Sequence, residues 1–146
     1  MEFKDFSLNI SQTKVGRFAE ELAAGKIMAT VCMKCGKKYY PPRADCSVCM
    51  ESTMEWRPIE GVGNLVTYTQ IYVPPEHFAI RLPLMPFSRI QFEPCPVGLV
   101  EMEDGIRVMG WMPKMDSKKI RIGMKLKPFP RILPDDKVTI TLELIE

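Results

Sequence analysis

Residues 31–50, VCMKCGKKYYPPRADCSVCM, decide the fold of the first part of this chain, because they hold four of its five cysteines. The cysteines form two C-x-x-C pairs, Cys32 with Cys35 and Cys46 with Cys49, and ten residues separate the pairs. Each pair can form a tight turn, here called a knuckle, that presents two thiolates to one side. Two facing knuckles complete a tetrahedral site of four sulfurs, so the pattern predicts a closed metal site.

The metal of this site is predicted to be a structural zinc ion. Zinc suits four thiolates, and four protein ligands leave no open position for a catalytic water molecule. Iron in a rubredoxin-like site is a chemically possible alternative. A redox-active thiol pair is a second alternative, but it needs a βαβ setting that the sequence lacks.

The whole chain has 146 residues, a hydrophobic content of 46% and a net charge of +2. These values are typical of one globular unit or two small ones, with a smaller basic excess than a dedicated nucleic-acid-binding protein has. No run approaches the ~18 apolar residues of a transmembrane helix, and the N-terminal MEFKDFSLNISQ lacks the apolar centre of a signal peptide. We therefore expect a cytoplasmic protein without a membrane partner, in which paired cysteines favour a metal over disulfides.

Residues 13–26, TKVGRFAEELAAGK, show the periodicity of an amphipathic helix. The apolar positions are Val15, Phe18, Ala19, Leu22 and Ala23. Ser11 or Thr13 can cap its start, and Gly25 can close its end. A helix of about three turns is marginal alone, so it should pack either on its own domain or on a partner protein. The sequence leaves these two interpretations open.

Strand patterns fill most of the remaining chain. IMATV (27–31) and MEWRPIEG (54–61) flank the cysteine segment. Five further strands are predicted at 61–73, 97–103, 106–112, 120–127 and 137–145. One face of these strands is apolar, and Asp104-Gly105 is a hairpin turn signal. A five-stranded OB-fold barrel explains this pattern best.

The predicted fold class is therefore mainly β (α+β), with an N-terminal helix, a rubredoxin-like zinc ribbon and a five-stranded OB-fold barrel. We expect a helical segment at 1–26, the zinc ribbon at 27–60 and the OB-fold domain at 61–146. The ribbon is too small to fold without a metal or another cross-link.

Candidates for catalysis are few. Cys95 and His77, the fifth cysteine and the only histidine, would have to converge to form a nucleophilic pair. Both lie in or beside the proline-rich stretch 74–96, and an incidental cysteine is the commoner case. The sequence contains no phosphate-binding glycine loop and no nucleophile elbow. We therefore predict no catalytic residue in this chain.

Two basic groups could meet an anionic ligand. They are Lys34, Lys37, Lys38 and Arg43 in the cysteine segment, and Lys118, Lys119, Arg121, Lys125 and Lys127 near the later strands. A solvated surface explains any single lysine. Together they could bind the phosphates of a nucleotide-like ligand or of single-stranded nucleic acid.

Four segments together carry a resemblance to a known family. They are CMKCGKKYYPPRADCSVC, WRPIEGVGNLVTYTQ, VGLVEMEDG and IRIGMKLK. The chain resembles the rubredoxin-like zinc-ribbon/OB-fold family, which is described as acyl-CoA-associated. The resemblance implies a small, non-catalytic partner of thiolase-superfamily enzymes that helps to build the CoA site, while the thiolase supplies the catalytic groups. It also implies that the four paired cysteines bind the metal, and that Gly61 and Gly63 form the glycine entry to the barrel.

The resemblance also implies a CoA-binding segment between the knuckles. The candidate residues are Tyr40, Pro42, Arg43 and Lys38, in and beside the family's PPR segment, where Pro41 also lies. Arg43 is assigned to phosphate and Tyr40 to stacking or packing, since CoA offers phosphates to cations and an adenine to aromatic rings. A structural ion pair inside the ribbon is an equally good explanation of Arg43.

The chain departs from the family pattern at three points. Met50 follows the second knuckle where the family usually has glycine, and it should strain that turn slightly and could weaken metal affinity. Cys95 replaces a typical aromatic residue. The connection from Val73 to Val97 is longer and richer in proline than is common, so the partner and the acyl group stay open.

Three functions are thus to be separated. The first is an accessory subunit that binds CoA or acyl-CoA and completes a thiolase-type enzyme. The alternative is a nucleic-acid-binding module, against which the near-neutral net charge and the lack of an aromatic run count. The third is an assembly factor that binds no ligand.

Overall fold

The structure is a computed structural model that describes residues 14–72, 94–133 and 136–145. The chain divides after Glu60 into two compact units, 1–60 and 61–146, which are called the ribbon unit and the barrel unit below. Among the helices of the described residues, none is long and apolar enough to cross a membrane. The finer division into a helical segment, a ribbon and an OB-fold domain stays a prediction.

The ribbon unit consists of one helix and a three-stranded antiparallel sheet. The helix α1 is Lys14–Ala23, and the strands are β1 (Met28–Cys32), β2 (Lys38–Tyr39) and β3 (Met54–Pro58). The strand order is β2-β1-β3, so β1 lies in the centre and all five of its residues are buried. The predicted strands at 27–31 and 54–61 are thus confirmed to within a few residues, while the short β2 was not predicted.

Helix α1 packs on its own unit through part of its apolar stripe. Leu22 is buried, and the Phe18 ring meets the Tyr40 ring edge to face, with 6.0 Å between the centroids. Val15 is nevertheless 74% exposed, so only part of the predicted stripe is covered. The proposed caps Ser11 and Thr13 lie outside the described residues.

The barrel unit is a closed five-stranded barrel. Its strands are β4 (Gly63–Ile71), β5 (Cys95–Glu101), β6 (Arg107–Trp111), β7 (Lys125–Ile132) and β8 (Val138–Leu144). They close in the order β4-β5-β6-β8-β7, and a single-turn 3-10 helix at Ser117–Lys119 precedes β7. All neighbouring strands are antiparallel except β6 and β8, which pair in parallel. The predicted mainly-β class with a five-stranded OB-like barrel is confirmed.

The barrel interior is filled by apolar side chains, most of them from the strands and two, Met112 and Ile120, from the connection between β6 and β7. Those with at most 1% exposure are Leu65, Val100, Val108, Met112, Ile120, Leu126 and Leu142. Gly98 faces the same interior. A Cβ atom at Gly98 would lie 2.8 Å from Leu65 Cδ1 and 2.9 Å from Met112 Cε. A glycine at this position therefore lets two large side chains meet inside the barrel.

The fourth barrel strand differs from the prediction at 120–127, because the apolar alternation there belongs partly to a turn. Gly123 adopts a φ of +87°, and its N–H donates to the Leu65 carbonyl at 2.8 Å. Ile122 is therefore 61% exposed instead of facing the core. The strand β7 begins at Lys125 and continues through two prolines, which it tolerates since β4 pairs with it only at its first two residues.

Candidate metal centre

The four paired cysteines converge at one point in the ribbon unit. Their Sγ atoms all lie within 4.8 Å of one another. The Cys32 and Cys49 sulfurs are 3.4 Å apart, and the Cys35 and Cys46 sulfurs are 3.5 Å apart. A tetrahedral metal with metal–sulfur bonds of about 2.3 Å needs sulfurs roughly 3.8 Å apart. The four thiols are thus arranged to bind a metal ion.

The two knuckles have the same backbone hydrogen bonds. The Gly36 N–H donates to the Cys32 carbonyl at 2.9 Å, and the Met50 N–H donates to the Cys46 carbonyl at 3.1 Å. The N–H of each first cysteine in turn donates to the carbonyl five residues later, at 2.9 Å and 2.8 Å. Sequence segments fourteen residues apart therefore build the same turn.

The residue that follows each knuckle has a left-handed backbone. Gly36 has a φ of +74° and Met50 a φ of +58°. Glycine adopts this conformation freely, whereas a residue with a Cβ atom loses about 1–2 kcal/mol there. The expected strain at Met50 is therefore confirmed for the backbone, and its effect on metal affinity stays a prediction.

Tyr39 is the residue of this centre that sequence reasoning missed. Its hydroxyl oxygen lies 3.2 Å from Cys46 Sγ and accepts a hydrogen bond from the Ser47 backbone N–H at 2.9 Å. Tyr39 is buried, while Tyr40, the predicted residue, is half-buried and faces Phe18. Tyr39 is the last residue of β2, opposite Thr30 of β1, whereas Tyr40 lies just after the strand. The register of β2 against β1 therefore places Tyr39, and not Tyr40, next to the cysteines.

Hydrogen bonds favour the thiolate form of two of the cysteines. The Tyr39 hydroxyl, helped by the backbone N–H groups of Cys49 and Val48, lowers the pKa of Cys46 to about 5. The backbone N–H of Cys35 is the main cause of a lowered pKa at Cys32. Both side chains are first cysteines of their knuckles, so each knuckle favours negative charge at its first sulfur.

The second cysteine of each knuckle has a raised pKa, so its neutral thiol form is favoured. The Glu51 backbone N–H favours the Cys49 thiolate, but burial and the neighbouring thiols outweigh it and raise the Cys49 pKa to about 12. The Lys37 backbone N–H lowers the Cys35 pKa most strongly, but the Cys46 sulfur, burial and the Cys32 sulfur together outweigh it, so the pKa is raised. Each short sulfur–sulfur contact thus joins a thiol of lowered pKa to one of raised pKa. A divalent metal would have to displace the remaining protons, so its binding should release protons.

Arg43 is fixed to the ribbon by its backbone, and its side chain is exposed. Its N–H donates to Thr30 Oγ1 at 3.0 Å, and the Thr30 hydroxyl donates to the Arg43 carbonyl at 3.2 Å. Thr30 is completely buried in β1. The Arg43 guanidinium lies 5.4 Å from the centroid of the Tyr39 ring. Within the described residues no carboxylate pairs with this guanidinium, so the suggested ion pair inside the ribbon is absent there.

The other residues of the proposed CoA segment lie beside Arg43 on the ribbon. Tyr40 contacts Phe18, and burial raises the pKa of its hydroxyl to about 12. Pro42 is half-buried, whereas Lys38 is exposed on β2. Tyr40 therefore packs on α1, and the charged groups of Lys38 and Arg43 face solvent.

Neither Cys95 nor Glu101, a carboxylate at the other end of the same strand, belongs to a reactive cluster in the described residues. Cys95 begins β5, where burial raises the pKa of its thiol and its Sγ lies 3.5 Å from the Pro96 carbonyl oxygen. His77, its proposed partner, lies in 73–93, outside the described residues, as does most of the proline-rich stretch. Glu101 pairs with Arg107 at 3.0 Å on the barrel surface.

Aromatic and basic side chains meet on strand β7. The Phe129 ring centroid lies 5.2 Å from Lys127 Nζ and 5.1 Å from the Arg131 guanidinium carbon. Glu143 accepts hydrogen bonds from Arg131 at 2.7 Å and from Lys114 at 3.1 Å. Glu143 thus pairs with two cations, Arg131 and Lys114, that lie outside the second predicted basic group.

Two family models match consecutive parts of the chain. The model described as "ChsH2, rubredoxin-like zinc ribbon domain" matches residues 19–55, and "ChsH2, C-terminal OB-fold domain" matches residues 56–128.

Curated relatives carry the name DUF35 domain-containing scaffold protein. That of Methanocaldococcus jannaschii is 26% identical over 106 residues, which are 72% of this chain and 67% of the relative. That of Pyrococcus furiosus is 26% identical over 96 residues, 66% of this chain and 62% of the relative. The chain thus spans about two thirds of the first relative and less of the second.

Two solved structures are similar in fold. One, named Ltp2-ChsH2(DUF35) aldolase, has a TM-score of 0.68 and 20% identity, covering 87% of this chain and 91% of that one. The other is a DUF35-family protein of unknown function from Sulfolobus solfataricus, with a TM-score of 0.52, 18% identity, and coverage of 83% and 84%. At these identities the similarity concerns the fold alone.

Proposed function

We propose a function from one premise: the chain belongs to the family in which a ChsH2-type rubredoxin-like zinc ribbon precedes a C-terminal OB-fold domain. The proposed function is that of a non-catalytic accessory subunit. It helps a thiolase-superfamily enzyme to bind CoA or acyl-CoA, and it stabilises the complex. The names of the similar proteins support the subunit role, since one describes a scaffold and another couples ChsH2 with Ltp2 in an aldolase.

The metal in this proposal is a structural zinc ion held by Cys32, Cys35, Cys46 and Cys49. Four thiolates are the donor set that zinc accepts in closed sites, and such a site stabilises the fold and offers no position for substrate. None of these cysteines forms a disulfide in the structure. Reduced thiols are expected in the cytoplasm, where we place the protein.

The exposed cations next to the metal centre are the proposed contacts for CoA phosphate. The observation that carries this part is the anchoring of Arg43. Two hydrogen bonds tie its backbone to the buried Thr30, and its guanidinium stays exposed above the Tyr39 ring. A guanidinium on a fixed backbone loses little freedom when it binds a phosphate in bidentate geometry. Lys38 adds a second exposed positive charge, while Tyr40 and Pro42 pack the segment in place.

Affinity purification of the tagged chain from its native host tests the subunit role. A thiolase-superfamily enzyme should co-purify in stoichiometric amount, and its activity on acyl-CoA should need both chains. Arg43→Ala should then raise the KM for acyl-CoA several-fold with little change in kcat. Arg57→Ala is the matched control, since Arg57 is an exposed arginine of the same sheet that bonds Glu55.

Each failure of this test has a separate meaning. If no such enzyme co-purifies and none gains activity from the chain, the subunit role is wrong. If the complex needs this chain but Arg43→Ala leaves the KM unchanged, the chain is an assembly factor and the CoA contact is wrong.

The nucleic-acid alternative is favoured by one observation, the Phe129 ring between Lys127 and Arg131 on β7. Aromatic rings flanked by cations can stack bases and contact phosphates. Glu143 opposes this use, because it already pairs with Arg131. Tight binding of single-stranded DNA that weakens steeply with salt, and that Phe129→Ala abolishes, would favour this alternative over the CoA proposal.

A further inference from the structure

The hydroxyl group of Tyr39 meets three polar groups of the second knuckle. Its oxygen lies 3.2 Å from Cys46 Sγ, 3.1 Å from Ser47 Oγ and 2.9 Å from the Ser47 backbone nitrogen. The residue is only 7% exposed, so water does not compete freely for these contacts. Which group donates to which decides what the hydroxyl does in this position.

The directions of these bonds follow from the chemistry of a metal-bound sulfur. A thiolate carries no proton and can only accept. The Ser47 backbone N–H donates to the phenol oxygen, and the Ser47 hydroxyl can donate to the remaining lone pair of that oxygen. The Tyr39 O–H proton is then left for Cys46 Sγ. With this assignment every polar group in the set has a partner.

Further contacts hold the ring and the sulfur in this arrangement. Lys37 Nζ lies 5.3 Å and the Arg43 guanidinium 5.4 Å from the Tyr39 ring centroid, where cations are attracted to an aromatic face. The Val48 N–H is a second donor to Cys46 Sγ, at 3.4 Å. Hydrogen bonds to a thiolate stabilise its charge. Cys46 is thus placed to be a well-stabilised thiolate ligand.

We propose that Tyr39 is a positioning residue of the metal centre, whose O–H group donates to the metal-bound Cys46 thiolate and slows release of the metal. The inference rests on the proposed four-cysteine metal site and is independent of the thiolase and CoA proposals. Hydrogen bonds to metal ligands commonly change metal affinity by about 10–100-fold. Tyr40 offers the comparison, because its ring packs on Phe18 in the same unit.

The test uses the full chain with cobalt(II) in place of zinc, since cobalt–thiolate charge-transfer bands report electron density at the sulfurs. Tyr39→Phe keeps the ring and removes the hydroxyl group, and Tyr40→Phe is the matched control. The charge-transfer bands of Tyr39→Phe should move to lower energy, because a thiolate without its donor gives up an electron more easily. Zinc should pass to a competing chelator about tenfold faster from Tyr39→Phe than from the wild-type chain. Tyr40→Phe should match the wild type in both measurements.

Unchanged bands in a folded Tyr39→Phe would overturn the proposal, even if zinc left faster. A purely structural role of Tyr39 would change the rate of zinc release without changing the electron density at the Cys46 sulfur. If Tyr39→Phe does not fold, Ser47→Ala replaces it. That variant removes one donor to the phenol oxygen and should shift the bands less, in the same direction. An unchanged Ser47→Ala spectrum would then refute the role of Tyr39. A wild-type chain without a tetrahedral cobalt spectrum would refute the metal site itself, so the two failures are distinguishable.

Discussion

The ribbon unit and the barrel unit reach an ordered core by different means. In the ribbon the buried cluster is Cys32, Tyr39 and Cys46, with Cys49 and Met54 packed against it. In the barrel the most buried side chains are aliphatic, such as Leu65, Val108 and Leu126. The ribbon cluster consists of groups arranged around the proposed metal, although the ribbon also buries apolar residues such as Ile27, Met28 and Val31, whereas the barrel core consists of groups that burial from water organises. The comparison predicts that the ribbon unit depends on a metal for its stability and that the barrel unit does not.

Removal of the metal should have the largest effect and should separate the two units. Apparent zinc affinities of structural sites are on the order of 10 kcal/mol or more, and in small metal domains this energy is folding energy. A strong chelator should therefore abolish the hydrogen-exchange protection of β1 amides and leave that of β5 amides. Loss of protection in both strands together would show that the units do not unfold independently, and loss in neither would show that the ribbon does not need the metal.

Truncation of a barrel core residue should destabilise the barrel unit and leave the ribbon unit unchanged. Leu126 is completely buried in the barrel, and Leu126→Ala should lower the free energy of unfolding of the barrel by about 3 kcal/mol through lost burial and a cavity. The cobalt spectrum of the ribbon should not change. Leu144→Ala, at a position that is 53% exposed, is the control and should cost far less in the same denaturant titration.

The two knuckles allow a finer comparison inside the ribbon. Gly36→Ala places a Cβ atom in open space but on a left-handed backbone, so it should destabilise the metal-loaded ribbon by about 1 kcal/mol. Met50→Gly should relieve the same strain and stabilise it by a somewhat smaller amount, because glycine also adds freedom to the unfolded chain. Chelator titrations followed by circular dichroism measure both. Changes of the same sign in the two variants would contradict the equivalence of the knuckles.

The smallest expected effect is a pH-dependent one in the barrel. Burial raises the pKa of Glu143, but hydrogen bonds from Arg131, Lys114 and Thr141 outweigh it, so the pKa is lowered on folding. A lowered pKa stabilises the fold above the unfolded value near 4.3, and this stabilisation is lost as the pH falls through the folded value. Glu143→Gln should therefore lower the free energy of unfolding by about 1 kcal/mol or less at pH 7. The difference from the wild type should shrink steadily as the pH falls below about 4, and a constant difference across this range would show that the carboxylate charge is not its cause.

Local sequence patterns predicted the elements that depend on local rules. The C-x-x-C spacing placed the four cysteines at one point, since each knuckle is closed by hydrogen bonds within six residues. The Asp104-Gly105 turn signal located β5 and β6, whose burial alternates along each strand, and apolar alternation located β8.

What the sequence did not reveal depends on register and on tertiary pairing. Tyr39 and Tyr40 are chemically identical, and only the pairing of Tyr39 with Thr30 distinguishes them. The alternation at 120–127 crosses a turn, and Gly123 was the signal that could have moved the start of β7. The exposed Val15 likewise shows that helical periodicity gives a face and does not say how much of it is covered.

The parallel pairing of β6 with β8 has a consequence for the order of folding. Glu101 and Arg107 pair across a hairpin only six residues apart, whereas Trp111 pairs with Thr141 thirty residues away. Long loops lose more chain entropy on closure and slow the folding transition. We therefore expect the β5–β6 hairpin to form early and the barrel to close late, after the short-range knuckles have formed. The two tryptophans, Trp56 in the ribbon and Trp111 in the long-range pair of β6 with β8, give each unit its own fluorescent reporter of that sequence of events.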